Sequence, residues 1–156
     1  MSETPIENLK RTIKKILLNV SKTLEEPLDC DKILIEDRGI PHERPKCLPQ
    51  DYTAVYVFYC PKEEKFLKIG KVGPNSEPRF RFQHYSPKAA KSTLARSLLN
   101  DVKMTKKYNL SDNNIKQWIM ENCYRIDILF PPSVNKFTNE LCEACLHYKL
   151  KPRYEG

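Results

Sequence analysis

Apolar residues recur every three or four positions between residues 5 and 25, with charged residues filling the positions between them. This spacing predicts an amphipathic α-helix whose apolar side packs against the rest of the protein. Thr4 and Glu7 have the spacing of a capping box, and Pro5 occupies the first helical position. The other side of the helix is basic, either because it is solvated or because it contacts a phosphate backbone.

A different pattern begins after residue 50. Residues 53–60 and 66–72 are rich in β-branched and aromatic side chains and are separated by a polar turn, which predicts a β-hairpin. Residues 124–130 alternate apolar with polar side chains and predict a third strand. A hairpin and a later strand flanked by helices indicate an α+β fold. Helices are predicted at residues 76–85, 92–100, 112–122 and 135–150.

The segment between these two patterns, residues 26–50, contains four prolines and only one stretch, residues 32–36, that could form a short strand. This composition predicts an extended connector that wraps the core. We therefore expect two parts in this chain. An N-terminal helix with its connector occupies residues 1–50, and the domain that carries the chemistry occupies residues 51–156.

The charge of the chain favours a polyanionic partner. The 27 Lys and Arg residues against 20 Asp and Glu residues give a net charge of +7, and a basic surface attracts nucleic acid by releasing counterions. Many soluble proteins carry such a charge without binding nucleic acid, so charge alone does not decide. No apolar run approaches the roughly 20 residues that span a bilayer, and the N-terminus lacks an apolar signal core. We expect a cytoplasmic protein with no membrane contact.

The six cysteines do not indicate a disulfide scaffold, because their number is small for a chain of 156 residues. Cys142 and Cys145 form a Cys-x-x-Cys spacing inside a helical pattern, whereas a redox pair is expected at the start of a helix. No second close pair completes a zinc site. We expect free, reduced and mostly buried thiols.

The predicted hairpin brings a phenol close to an ammonium group. If the turn is five residues long, Cys60 faces Phe66, Phe58 faces Lys68, and Tyr56 lies diagonally from Lys68 on the same face. An ammonium beside a phenol favours the phenolate, which can act as a base. When only the hairpin is considered, the better interpretation is an ordinary half-exposed hairpin that carries a Tyr and a Lys on its solvent-exposed face.

Basic and aromatic residues alternate after the hairpin, from Arg79 through Phe80 and Arg81 to Tyr85. Such a sequence suits phosphate contacts combined with stacking or packing. The alternative is that Phe80 and Tyr85 pack inward while both arginines are solvated.

Acidic and basic residues share one side of the last predicted helix, where Glu140, Glu143 and His147 follow at steps of three and four. Glu143 stands among small apolar residues, which indicates a partly buried carboxylate. A buried carboxylate needs a partner, and a divalent cation is a natural one.

Together these segments resemble the GIY-YIG nuclease family. Residues 54–56, Ala-Val-Tyr, resemble its Gly-Ile-Tyr motif, and residues 68–70, Lys-Ile-Gly, resemble its Tyr-Ile-Gly motif. The family places an Arg and a downstream His on the following helix, which here correspond to Arg79 and His84. It places a single Glu on a later helix, which here corresponds to Glu143.

The resemblance covers residues 53–156, with several departures. Lys68 in place of the second Tyr is similar to a branch that includes small type II restriction enzymes and phage-derived nuclease domains. Residues 84–95 also resemble a group of small bacterial proteins placed with that family. Ala54 stands where the family has Gly, and the family's late Asn has no counterpart at the end of this chain.

The resemblance implies a three-stranded antiparallel sheet flanked by helices, and hydrolysis of DNA phosphodiester bonds with Mg²⁺ or another divalent cation. Glu143 is expected to ligate the metal, which stabilises the charge on the leaving oxygen. Tyr56, helped by Lys68, is expected to activate water as general base. Arg79 is expected to neutralise phosphoryl oxygens, and His84 to position a phosphate or assist the Tyr.

The remaining expectations concern substrate and partners. Lys71, Arg81 and His147 are expected to bind substrate, and Arg81 competes with Arg79 for the role of catalytic arginine. DNA is the expected partner, and a homodimer is one way for a small nuclease to cut both strands. The alternatives are a non-catalytic nucleic-acid-binding protein that keeps the GIY-YIG fold, and a protein-interaction module.

Overall fold

A computed structural model describes residues 2–25, 28, 30–90 and 92–154. Pro27 of the predicted connector and the side chain of Cys30 lie outside the described residues. Within these residues, no helix is long and apolar enough to cross a membrane. The elements are α1 (Pro5–Leu24), β1 (Leu34–Asp37), β2 (Thr53–Cys60), β3 (Lys65–Val72), α2 (Glu77–Arg81), α3 (Leu94–Asn100), α4 (Val102–Tyr108), α5 (Ile115–Asn122), β4 (Tyr124–Phe130) and α6 (Thr138–Leu150).

The fold is α+β, as predicted, but its antiparallel sheet has four strands in the described residues instead of three. The strand order is β1-β4-β2-β3. The added strand, β1, comes from the connector and pairs with β4, with Leu34 opposite Leu129 and Asp37 opposite Ile126. This pairing makes β4 a central strand, hydrogen-bonded to a neighbour on each side.

Helices cover both faces of the sheet. On one face, α1 and α6 pack against β2, β3 and β4, and Ile13 of α1 shares a core cluster with Val55, Ile69 and Leu146. On the other face, α2 to α5 enclose a second cluster that includes Tyr56. The capping box between Thr4 and Glu7 and the start of α1 at Pro5 confirm the prediction for this helix.

Two helices differ from the sequence prediction. The helix expected at residues 76–85 ends at Arg81, because Phe82 leaves helical geometry before a 3₁₀ turn at Gln83–Tyr85. Helix α4 was not predicted, since Met104 is its only buried residue and gives no apolar periodicity. Its start is fixed by Asp101, whose carboxylate accepts hydrogen bonds from two backbone N–H groups of the first turn.

The hairpin register is correct near the site and shifted near the turn. Phe58 pairs with Lys68, as predicted. Cys60 pairs with Lys65 rather than with Phe66, because a β-bulge follows Phe58 and absorbs one residue. The shift is confined to the turn end of the hairpin, so the pairs that position the candidate site are unaffected.

Candidate functional site

The site is organised around Tyr56 of β2, whose ring lies over the backbone of the neighbouring edge strand, β3. Tyr56 lies directly opposite Gly70 of β3 and has no exposed surface. A Cβ atom on Gly70 would lie 2.2 Å from the Tyr56 Oη, so only glycine leaves room for the phenol there. Arg79 of α2 donates from Nη2 to the same Oη across 3.5 Å. The structure therefore brings Arg79 to the phenol.

Lys68 adds a second cation that has no carboxylate partner among the described residues. Its side chain is 1% exposed, and its Nζ donates a 3.4 Å hydrogen bond to the Ser92 Oγ. Burial lowers the pKa of Lys68, and the charge of Arg79 lowers it further. The two cations lie near each other, and neither forms an ion pair with a carboxylate in the described ranges, which makes this region suited to an anion.

Burial also sets the protonation of Tyr56. Desolvation raises the pKa of the phenol above its usual range, and this effect outweighs the opposing charge and hydrogen bond of Arg79. The expectation that Lys68 would favour the phenolate is therefore wrong, because the loss of solvent has a larger effect on the phenol. Tyr56 is a neutral hydrogen-bonding group at neutral pH.

His84 lies beside Tyr56 with one ring nitrogen free of partners. The two ring centroids are 4.2 Å apart. The backbone N–H of Leu94 donates to Nδ1 across 3.4 Å, which places the proton on Nε2. Nε2 has no hydrogen-bond partner in the part of the chain that the structure describes. Burial, followed by the charges of Arg125 and other cations, holds the pKa of His84 well below its usual range, so the ring is neutral.

Glu143 approaches the same stretch of β3 from α6, which covers the other face of the sheet. Its carboxylate is 3.6 Å from the His147 Nε2, and this nitrogen donates to the Ile69 carbonyl across 2.9 Å. His147 thereby holds α6 against the outer edge of β3. Glu143 contributes to the raised pKa of Tyr56, so the carboxylate lies within electrostatic range of the phenol. The Glu143 carboxylate approaches the phenol from the outer edge of β3 and not from the face of the sheet that bears Lys68.

The other two predicted substrate-binding residues lie outside the cluster around Tyr56. Lys71 is exposed on β3 and forms a 2.9 Å ion pair with Glu140. Arg81 stacks on the Phe82 ring, with its guanidinium carbon 4.7 Å from the ring centroid. Because Arg79 contacts the Tyr56 hydroxyl, the geometry favours Arg79 over Arg81 as the arginine of the site.

Sequence reasoning missed a buried ion network behind the site. Arg125 and Asp127 on β4 are fully buried and 3.0 Å apart. Asp127 also pairs with Arg38 across 2.9 Å. Arg125 donates to the Tyr85 hydroxyl and to the Phe80 carbonyl, at 3.1 and 2.8 Å. This network fixes α2 and the following 3₁₀ turn, and so positions the residues next to Tyr56.

The described residues contain no metal site built from several protein ligands. In the described residues, no group of three or more His, Cys, Asp and Glu side chains could hold a metal. A single carboxylate such as Glu143 is still enough for Mg²⁺, which keeps several waters and takes further ligands from a substrate phosphate. The described cysteines are free, with Cys142 buried and Cys145 half-buried inside α6, and Cys47 is exposed.

No protein-family model, curated protein or solved structure matches this chain. The interpretation of the site therefore depends on the geometry and chemistry of the residues described above.

Proposed function

We propose that the protein is a cytoplasmic, metal-dependent endonuclease of the GIY-YIG type that hydrolyses DNA phosphodiester bonds. The observation that carries the proposal is the buried Lys68 beside Arg79, with no carboxylate to neutralise either one within the described cluster. A buried cation without a counterion is costly in a protein that only needs to fold. A substrate phosphate would supply the missing negative charge.

Each side chain of the cluster has a role that its position supports. Arg79 and Lys68 bind the non-bridging phosphoryl oxygens and neutralise the charge that grows on them during the reaction. The His84 Nε2–H is a further donor for a phosphate oxygen or for water. Glu143 would hold Mg²⁺, which supplies Lewis-acid stabilisation of the leaving oxygen when bound.

Tyr56 acts as the general base in this scheme. Its phenolate takes a proton from water, the water oxygen bonds to phosphorus, and the bond from phosphorus to the deoxyribose oxygen breaks. The deoxyribose oxygen leaves as an alkoxide and takes a proton from solvent, and Tyr56 returns its proton to solvent. Because burial raises the pKa of Tyr56, the phenolate fraction is small at neutral pH. The cleavage rate should therefore rise with pH by up to about tenfold per unit through the neutral range. Tyr56→Phe should abolish cleavage at every pH.

The direct test is cleavage of plasmid DNA in Mg²⁺ and in EDTA. We expect nicking or cutting by the wild-type protein in Mg²⁺ only. Glu143→Ala should lower cleavage at least about a hundredfold, and it should leave DNA affinity without metal unchanged. Glu121→Ala on α5 is the matched control, since Glu121 is exposed and lies outside the site. Cleavage by Glu143→Ala at the wild-type rate would contradict the proposed role of this residue.

A non-catalytic nucleic-acid-binding protein is the second candidate. It is favoured by the complete burial of Tyr56, which leaves no surface of the phenol open to an attacking water. Such a protein would bind DNA with a steep salt dependence but show no metal-dependent cleavage in the plasmid assay. A homodimer that cuts both strands stays a prediction, and double-strand cleavage by the wild-type protein would be its first sign.

A further inference from the structure

A groove of about 520 Å³ opens where β3 ends and α6 begins. This volume falls in the range of small-ligand sites. Its lining is mainly apolar and also includes Lys71, Lys136 and the carboxylates of Asp51 and Glu140. The apolar walls come from Pro74, Pro131, Pro132, Val134 and Phe137.

Asn139 gives the groove a buried polar group. The side chain lines the groove and is only 4% exposed, yet its Oδ1 has no hydrogen-bond partner among the residues that the structure describes. A buried amide oxygen without a partner lowers stability unless a ligand or water satisfies it. A carboxamide offers both a donor and an acceptor, the combination that the edges of nucleobases also present.

The groove lies next to the proposed scissile phosphate. Lys71 directly follows Gly70 on β3, so its side chain projects to the face of the sheet that α6 covers, opposite the face that bears Lys68. Glu140 is one turn before Glu143 on α6, a distance of about 5 Å along a helix. Because β3 is an edge strand, a nucleotide adjacent to a phosphate held by Lys68 and Arg79 would reach this groove by passing around the outer edge of β3.

We propose that the groove holds the base of an unpaired nucleotide next to the scissile phosphate, an inference that rests on the proposed nuclease function. The apolar walls suit the faces of a base, and the Asn139 amide suits its edge. The pairing of Lys71 with Glu140, at 2.9 Å, and the nearby Asp51 make the groove a poor site for a free phosphate. A paired base can enter only after it leaves the stack, so single-stranded, flap or bulged DNA is the preferred substrate.

The first test uses ¹H–¹⁵N spectra of the full chain, titrated with deoxyadenosine monophosphate and, separately, with inorganic phosphate. The nucleotide should shift the side-chain amide of Asn139 and the backbone amide of Lys71. Phe137→Ala should weaken this binding about fivefold or more, because base stacking on an aromatic ring is lost. Phe137 is 59% exposed, so its replacement should preserve the fold, and Tyr148→Ala on α6, at 86% exposed, is the matched control.

The second test measures the affinity of the Glu143→Ala protein, without metal, for a short duplex with and without one unpaired nucleotide. The unpaired nucleotide should increase affinity about tenfold or more in this protein, and adding Phe137→Ala should remove most of the gain. Because neither test requires cleavage, both can fail while nuclease activity is present. Equal affinity for the two duplexes, or equal amide shifts with phosphate alone, would overturn the assignment of a base pocket.

Discussion

Two buried cations on the same face of the sheet differ in their surroundings. Arg125 has no exposed surface and is bonded to Asp127, to the Tyr85 hydroxyl and to the Phe80 carbonyl. Lys68 is equally buried, but its Nζ contacts only the Ser92 Oγ, at 3.4 Å, among the described residues. One cation is therefore fully paired inside the protein, whereas the other is not.

The pKa shifts of the two cations run in opposite directions. Burial would lower the pKa of Arg125, but Asp127 and Tyr85 more than offset it, and the pKa is raised. Burial lowers the pKa of Lys68, and the nearby cation Arg79 adds to the effect. A paired buried charge stabilises one arrangement of the chain, while an unpaired one is poised for a ligand of opposite charge. Arg125 therefore has a structural role, and Lys68 marks the proposed functional site.

Removing the counterion of the paired cation should have the largest effect on stability. Asp127→Asn leaves Arg125 without its carboxylate, and breaking a buried pair in this way costs about 3–5 kcal/mol of the free energy of unfolding. Urea denaturation measures the loss. Asp37→Asn is the matched control, because its ion pair with Lys10 at the surface is worth about 1 kcal/mol or less. A loss of the same size in both variants would show that the buried pair is not structural.

Acid should weaken both clusters, because each contains a neutral buried histidine. Burial lowers the pKa of His84 beside Lys68, and it lowers the pKa of His42, which is 2.9 Å from the Tyr85 hydroxyl in the Arg125 network. The unfolded chain therefore binds more protons below about pH 6.5, and each histidine lowers stability by up to about 1.4 kcal/mol per pH unit as pH falls.

Denaturation at several pH values between about 6.5 and 5 measures this slope. His84→Gln should remove the larger share of it and His42→Gln a smaller share, because the pKa of His84 is lowered further than that of His42. If the free energy of unfolding of His84→Gln has the same pH slope as the wild type, His84 takes up a proton equally well in the folded and unfolded protein. The positive charge around Lys68 would then be smaller than proposed.

Removing the unpaired cation, Lys68, should change the free energy of unfolding less than Asp127→Asn does, and in the opposite direction. Lys68→Met deletes a buried charge without a counterion and should raise the free energy of unfolding by about 1 kcal/mol. It should also weaken DNA binding and reduce the slope of log affinity against log salt by about 1, because one phosphate contact is lost. Lys116→Met on the exposed side of α5 is the control for affinity. A destabilised Lys68→Met protein with normal DNA affinity would remove the distinction between the two cations.

Most elements of the fold were predictable because their patterns are local. The capping box of α1, the hairpin strands and β4 depend on residues close together in the sequence. The pairing of Phe58 with Lys68 followed from an assumed five-residue turn, and it holds because the bulge after Phe58 offsets the shorter turn. The pairing of β1 with β4 depends on residues 34–37 meeting residues 126–129, and no local pattern indicates it.

The ion network was missed for a similar reason, because its burial depends on contacts between residues distant in sequence. Arg125 and Asp127 stand at the polar positions of an alternating strand, a pattern typical of a solvated face. Because β1 makes β4 central and helices cover both faces, these side chains are buried. The Tyr56 pKa was mispredicted for a related reason, since the degree of burial of the hairpin depends on helices that are distant in sequence.

The most direct test of the central claim is a crystal structure of the Glu143→Ala protein with a short single-stranded oligonucleotide. The account predicts a backbone phosphate with one oxygen within hydrogen-bond distance of the Lys68 Nζ and another contacting the Arg79 guanidinium. An oligonucleotide bound elsewhere, for example along the basic side of α1, with Lys68 still bonded only to Ser92, would contradict it.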